Sequence, residues 1–214
     1  MTGKIFFIDG HALIFKMYYA FLRRPMINSK GADMSILYGF TKYILELLGR
    51  EKPDYLAVAF DPPGGTFRNK MYPEYKANRK ETPQLVIDAL EPLMELCKAM
   101  NIPTLMLKGF EADDVIGTLA HKGVEAGYDV FMVTPDKDYG QLVCDNCKIY
   151  KQKGNDGIEI VGREAIREKY GIENPQLVRD ILALWGDASD NIPGVLGIGE
   201  KTAKDLLVRF GTVA

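Results

Sequence analysis

The chain has 214 residues, 47% hydrophobic and 26% charged, which excludes a disordered segment and suits one large domain or one domain with an appendage. Its 27 Lys plus Arg against 29 Asp plus Glu give a net charge of -2, which at face value excludes a simple basic coat for nucleic acid or membranes. Three cysteines cannot all pair, no apolar run nears the roughly 20 residues of a membrane span, and MTGKIFF leads directly into strand-like sequence, so a cytoplasmic protein with no leader and no membrane contact is expected.

Apolar, β-branched and aromatic runs at Lys4–Ile8, Tyr55–Phe60, Thr104–Leu107 and Val130–Thr134 read as short buried strands. Helix-period segments accompany them at Ala12–Leu22, Met34–Gly49, Gln84–Met100 and Asp113–Ala126. The alternation predicts an α/β fold, with a mainly parallel central sheet and helices on both faces. Such folds place their chemistry at the carboxyl ends of the strands. After Gly140 the pattern changes to a hairpin of Lys148–Lys151 and Ile158–Val161, turning at Gly154–Gly157. Helical segments follow at Arg163–Tyr170, Pro175–Trp185 and Glu200–Phe210. The expected division is an α/β core over 1–161 and a helical region over 162–214, truncated just beyond its last helix. Cys144 and Cys147 form a C-x-x-C with no second pair and no histidine nearby in sequence, and read as an incidental loop pair.

Nine acids fall at strand ends, helix starts and turns: Asp9, Asp61, Glu111, Asp113, Asp114, Asp136, Asp138, Asp187 and Asp190. Each alone is accounted for as a cap or turn residue. Jointly they converge on one sheet edge, where like charges raise one another's pKa unless a cation neutralises them. A carboxylate-rich, histidine-poor set suits Mg²⁺ or Mn²⁺ rather than Zn²⁺. Asp136 and Asp138 would share a direction if extended, and Asp187 and Asp190 a face if helical. His11, two residues from Asp9, reads as structural or solvent-facing.

From Gly64 to Lys80 the chain carries Arg68, Lys70, Lys76, Arg79 and Lys80 against one acid, Glu74, with Tyr72 and Tyr75 interleaved. Cations for phosphates beside rings for unstacked bases suit a nucleic-acid strand, although a solvated basic helix has the same composition. Pro73 predicts a helix start that pairs Tyr75 with Arg79 and Lys76 with Lys80. Farther on, Gly194, Gly197 and Gly199 open the last helix, followed by Lys201, Thr202 and Lys204. Glycines there let backbone amides approach a phosphate, although a plain helix-helix turn would look similar.

Ile8-Asp9-Gly10, Ala59-Phe60-Asp61, Phe67-Arg68, Tyr75-Lys76 with Arg79, Gly109-Phe110-Glu111-Ala112-Asp113-Asp114, Thr134-Pro135-Asp136-Lys137-Asp138 and Gly186-Asp187-Ala188-Ser189-Asp190-Asn191-Ile192-Pro193-Gly194-Val195 stand in one order along the whole chain. That order resembles the flap endonuclease and 5′-3′ exonuclease superfamily, most closely the nuclease domain at the N-terminus of bacterial DNA polymerases I. The resemblance implies a PIN-like, resolvase-like core with a helix-hairpin-helix region, and a structure-specific nuclease that hydrolyses phosphodiesters by two-metal-ion catalysis in primer removal and repair. It assigns Asp9, Asp61, Glu111 and Asp113 to a first Mg²⁺ with Asp114 close by, and Asp136, Asp138, Asp187 and Asp190 to a second.

By the same resemblance, residues 64–100 form an arch for a 5′ single strand, with Lys76 and Arg79 at the scissile or an adjacent phosphate, acting with Asp113. Arg68, Tyr72 and Tyr75 would touch DNA there. The glycine-rich turn would grip duplex backbone and hold a K⁺. Lys16 stands where relatives usually carry Arg, which would cost bidentate phosphate geometry. The implied partners are DNA with a 5′ flap or 5′ end and, in a longer protein, a linked polymerase domain, with the nuclease domain a monomer. A non-catalytic DNA-binding relative and a PIN-type ribonuclease are the competing expectations. Setting aside the nine acids leaves 20 against 27 basic residues, an excess of +7 for the remaining surface.

Overall fold

The structure is a computed structural model that describes residues 3–154 and 157–213. Strand β1 (Lys4–Asp9) is central because Phe6 and Ile8 face one layer of helices while Phe7 faces the other, so neither side of the strand meets water. It pairs in parallel with β2 (Tyr55–Ala59) and β4 (Asp129–Val133). Beyond β2 lies β3 (Thr104–Leu105), and beyond β4 lie β5 (Cys147–Lys153) and the antiparallel β6 (Gly157–Val161), giving the order β3-β2-β1-β4-β5-β6. The direction of strand addition reverses between β1 and β4. In open α/β sheets a ligand crevice forms at the carboxyl ends of such a pair.

Helices α1 (Gly10–Phe21) and α2 (Ser35–Glu51) belong with a later helix, α4 (Gln84–Ala99), to one layer, burying Ile14, Phe40, Ile44 and Leu93 against Phe6 and Ile8. The short α3 (Phe67–Met71) precedes α4 on the rim. Helix α5 (Ala112–Glu125) and the C-terminal helices α6 (Arg163–Tyr170), α7 (Val178–Trp185) and α8 (Glu200–Phe210) form the other layer, around Ile116, Met132, Val178 and Ile181. The expected α/β architecture with helices on both faces is therefore present. No helix among the described residues is long and apolar enough to cross a membrane.

Three local expectations change. The third strand is two residues rather than four, because only Thr104 and Leu105 pair with β2. Residues 73–79 form successive turns and not a helix: Lys76 sits at φ +59°, incompatible with a helical turn, while its N–H donates to Asp190 O at 2.9 Å. Helix 175–185 begins as a 3₁₀ turn, Pro175–Leu177, capped by the Asn174 side chain on Gln176 N at 3.1 Å. The Gly- and Pro-rich stretch after α7 includes a two-stranded ribbon, β7 (Gly186–Asp187) with β8 (Ile192–Pro193). The expected hairpin strands are longer than read, and Asn155 and Asp156 of its turn lie outside the described residues. Cys144 and Cys147 close a tight turn as free thiols, with Cys147 Sγ 3.8 Å from Met132 Sδ.

The β7-β8 ribbon leans on α7 so closely that a Cβ on Gly194 would lie 2.2 Å from the carbonyl carbon of Trp185 and 2.6 Å from Gly186 N. Neither backbone atom can give way. Gly194→Ala is expected to destabilise the protein by about 2 kcal/mol or more. Gly49→Ala in exposed helical backbone, with nothing within 4 Å of its Cβ, is expected to stabilise it by about 0.5–1 kcal/mol. Urea melts of the two variants check the pair.

Candidate metal and nucleic-acid site

The carboxyl ends of β1, β2 and β4 deliver the first acids. Asp9 ends β1 and caps α1, its Oδ1 accepting from Ala12 N at 3.0 Å and its Oδ2 from the Thr134 hydroxyl at 3.2 Å. Asp61 follows β2, and its Oδ1 accepts the first helical amide of α5, Ala112 N, at 2.7 Å. Its own N–H donates to His11 Nδ1 at 3.0 Å, and burial holds that imidazole below its ordinary pKa, so the nearby Asp61 Oδ2 at 3.6 Å is not an ion-pair partner. His11 is thus structural, as read, but it braces a site acid. After β4, Asp136 caps a 3₁₀ turn over Lys137–Leu142, accepting from Asp138 N at 2.9 Å. A cap, not an extended strand, sets the directions of Asp136 and Asp138.

The remaining acids arrive from α5 and the β7-β8 ribbon. Asp187 and Asp190 lie across the ribbon's turn, with Asp190 N–H donating to Asp187 O at 3.2 Å, so they do not share a helix face. One oxygen each of Asp138, Asp187 and Asp190 come within 4.8 Å of one another, a group able to hold a cation. Lys137 Nζ stands 3.3 Å from Asp187 and 3.8 Å from Asp138. Asp187 also accepts from the Ser189 hydroxyl at 2.6 Å and Ser189 N at 3.0 Å; burial alone would raise its pKa, yet these bonds and Lys137 hold it below the ordinary range.

The basic segment folds onto these acids. Arg68 forms a bidentate pair with Asp114 at 2.7 and 2.8 Å. Asp114 also accepts from Glu111 N at 2.9 Å at the start of α5. Both Asp114 oxygens thus carry hydrogen bonds, as both Asp9 oxygens do, and its charge is paired with the Arg68 guanidinium. Lys76 Nζ lies 2.8 Å from the buried Glu111, and Arg79 reaches Asp190 at 2.6 Å. Tyr75, expected to stack on a base, is instead buried, its hydroxyl 2.9 Å from both Glu111 and Asp190. One phenol proton serves one carboxylate at a time, and the Lys76 ammonium supplies the other. Lys70 and Tyr72 remain exposed on the outer side.

At the glycine-rich turn, Gly194 is fixed by backbone contact with Trp185 and so serves packing rather than phosphate approach. Gly197, at φ +81°, and Gly199, the cap of α8, have nothing within 4 Å of a Cβ position and leave backbone open. Lys201 and Thr202 are exposed beside them, whereas Lys204 is engaged by Lys169 O at 2.9 Å and Glu200 at 2.7 Å. Lys16 reaches Gln152 Oε1 of β5 at 2.7 Å.

Burial, followed by charge from neighbouring acids, pushes Asp9 up to about 6 and Asp138 up to about 7. Burial likewise pushes Asp113 up to about 7 against the pull of Arg68. Asp113 Oδ1 and Asp138 Oδ1 are buried without a hydrogen bond, their nearest cations being Arg68 at 4.0 Å and Lys137 at 3.8 Å. Orphaned carboxylate oxygens in an all-oxygen setting are what a hard divalent cation satisfies, so these residues fit one. Sequence reading passed over Thr134, Lys137 and Tyr139, whose only signal was their place around Asp136-x-Asp138. Tyr139 is buried, and its phenol is held far above its usual range by burial and by the charges of Asp9, Asp113, Asp136 and Asp61.

The sequence model described as 5′-3′ exonuclease, N-terminal resolvase-like domain, matches residues 4–171, and that described as 5′-3′ exonuclease, C-terminal SAM fold, matches residues 173–214. The chain is 41% identical over 215 residues to DNA polymerase I of Bacillus caldotenax, covering 100% of this chain and 24% of that protein. It is 38% identical over 209 residues to a 5′-3′ exonuclease of Aquifex aeolicus, covering 98% of this chain and 70% of that protein. It thus spans about a quarter of the polymerase relatives. The structure of phage T5 5′-exonuclease with bound zinc superimposes with a TM-score of 0.79 at 24% identity, covering 98% of this chain and 76% of that one, a likeness of fold.

A carboxyl whose pKa is raised by folding costs stability above that raised pKa and nothing below its unfolded value near 3.8, so Asp113 drains stability from the cation-free protein as pH rises from about 4 to 7. Asp113→Asn is expected to melt slightly above the wild type at pH 8 without divalent cations, since its side chain is partly exposed and solvent screens part of the effect, and to lose most of the melting gain that Mg²⁺ gives the wild type. Calorimetric scans with chelator and with Mg²⁺ check both signs.

Proposed function

The chain belongs to the 5′-3′ exonuclease family, and from that premise we propose that it is a Mg²⁺-dependent, structure-specific nuclease that cuts DNA at a 5′ flap or 5′ end. The single observation that carries the reading is the pair of orphaned oxygens, on Asp113 and Asp138, at the switch point of the sheet. Asp9, Asp61, Glu111 and Asp113 would hold one cation, and Asp136, Asp138, Asp187 and Asp190 another. Bound there, Mg²⁺ supplies Lewis-acid charge that activates water and stabilises the attacking and leaving oxygens of phosphodiester hydrolysis.

The chain's own groups do the rest. Lys76 and Arg79, now on Glu111 and Asp190, stand where a phosphate drawn to the site would meet them, and their charge would offset the negative charge that grows in the transition state. Arg68, locked on Asp114, positions the start of α5 and with it Glu111 and Asp113. Lys70 and Tyr72 face outward toward a single strand. The open backbone at Gly197 and Gly199, with Lys201 and Thr202, suits duplex phosphates and a monovalent cation such as K⁺, without reading sequence. Primer removal and repair are the tasks such a cut serves, and the longer relatives point to a polymerase domain linked to this one.

The test is cleavage of a 5′-flap duplex with Mg²⁺, against single-stranded RNA as comparison substrate. Flap cutting that needs Mg²⁺ is expected, with binding that weakens steeply with salt. Lys76→Ala should lower kcat about 10²- to 10³-fold. A protein that binds flap DNA without cutting it, or that prefers RNA, would overturn the reading.

A further inference from the structure

Among the described residues, three buried side-chain oxygens lack a hydrogen-bond partner: Asp113 Oδ1, Asp138 Oδ1 and the Tyr139 hydroxyl. All three residues line one cleft of about 250 Å³, with Arg68 and Gln141 on its walls. Asp113 comes from α5 and Asp138 from the group that includes Asp187 and Asp190, so the cleft joins the two halves of the acidic edge. Tyr139 is 2% exposed, and the carboxylates of Asp9, Asp61, Asp113 and Asp136 act on it electrostatically.

A ring that only filled the core would serve as well or better as phenylalanine. A buried hydroxyl left unpaired costs about 1–3 kcal/mol, and Val178, Ile181 and Met132, in the same core as Tyr139, are apolar. The hydroxyl therefore has no partner among the described residues. At about 30 Å³ per water the cleft admits several. A phenol oxygen both donates and accepts, so it can donate to water lying between carboxylates, and can accept from the outward-pointing protons of a hydrated cation.

We propose that Tyr139 is a positioning residue: its hydroxyl hydrogen-bonds water ordered in this cleft, giving one orientation to the solvent that Asp113 and Asp138 share. It keeps its proton throughout and touches no reacting atom directly. The inference rests on the nuclease reading for its effect on turnover, but its effect on cation binding does not need that reading.

Tyr139→Phe removes one oxygen and keeps the ring. The cation-free variant is expected to melt at or above the wild-type temperature. Mn²⁺ affinity, measured by titration calorimetry on the protein alone, should weaken about three- to tenfold, as for one lost hydrogen bond. On flap DNA, kcat should fall by a similar factor at unchanged KM. Weakened Mn²⁺ binding with a kcat loss supports the proposal, whereas an unchanged Mn²⁺ isotherm overturns it whatever the kinetics. If wild type does not cut flap DNA, the nuclease reading fails and the Mn²⁺ isotherm still decides for Tyr139. Should the variant not fold, a crystal of the wild type with Mn²⁺ decides: ordered water or ion within hydrogen-bond distance of the hydroxyl supports the proposal, and a dry hydroxyl overturns it.

Discussion

Repulsion among carboxylates at the carboxyl edge of a parallel sheet is the constraint on which the rest of the molecule depends. Two like charges at about 4 Å repel by several kcal/mol at the effective dielectric near a protein surface. The chain divides that load in several ways. Backbone amides and a hydroxyl take Asp9 and Asp61, and the start of α5 with Arg68 takes Asp114. Lys76 and Arg79 reach Glu111 and Asp190, and Lys137 lies between Asp138 and Asp187. What none of these satisfies is concentrated on Asp113 and Asp138. The basic segment is thus a structural counterweight to the acids, which is why a net charge near zero conceals two strongly charged neighbours.

The layers of the fold were legible because β1, β2 and β4 are short apolar runs between helices that keep a clean period. The acids were legible as a set because strand ends and helix starts converge in any sheet of this kind. What could not be read was fixed by contacts distant in sequence. No local pattern shows that Tyr75 turns inward, since its partners Glu111 and Asp190 lie 36 and 115 positions away. The turns around Lys76 depend on a hydrogen bond from its N–H to Asp190 O, and Pro73 alone suggested a helix. Nor does any local pattern show that Asp114 is forked by Arg68, 46 positions away, with its charge already paired. Tyr139 carried no signal because an aromatic beside a turn is ordinarily core.

The β7-β8 ribbon ties the two ends of the site together. Its turn presents Asp187 and Asp190 to Asp138, its backbone packs through Gly194 on Trp185, and its exit leads into Gly197, Gly199 and α8. Asn78 and Asn191 add side-chain bonds between the ribbon and the basic segment, at 2.8 Å to Ala188 O and 2.7 Å to Glu74 O. A displacement at the Gly197–Gly199 turn is therefore mechanically coupled to the acids and to the basic side chains that balance them.

The backbone at Lys76 has an evolutionary consequence. A side chain at φ +59° carries a conformational penalty of roughly 1 kcal/mol that glycine escapes, yet the ammonium there is the cation nearest to the buried Glu111. Glycine here would relieve that strain but leave the buried Glu111 without its nearest cation, which costs more than the strain, so the fold and the placement of charge both hold lysine at this position.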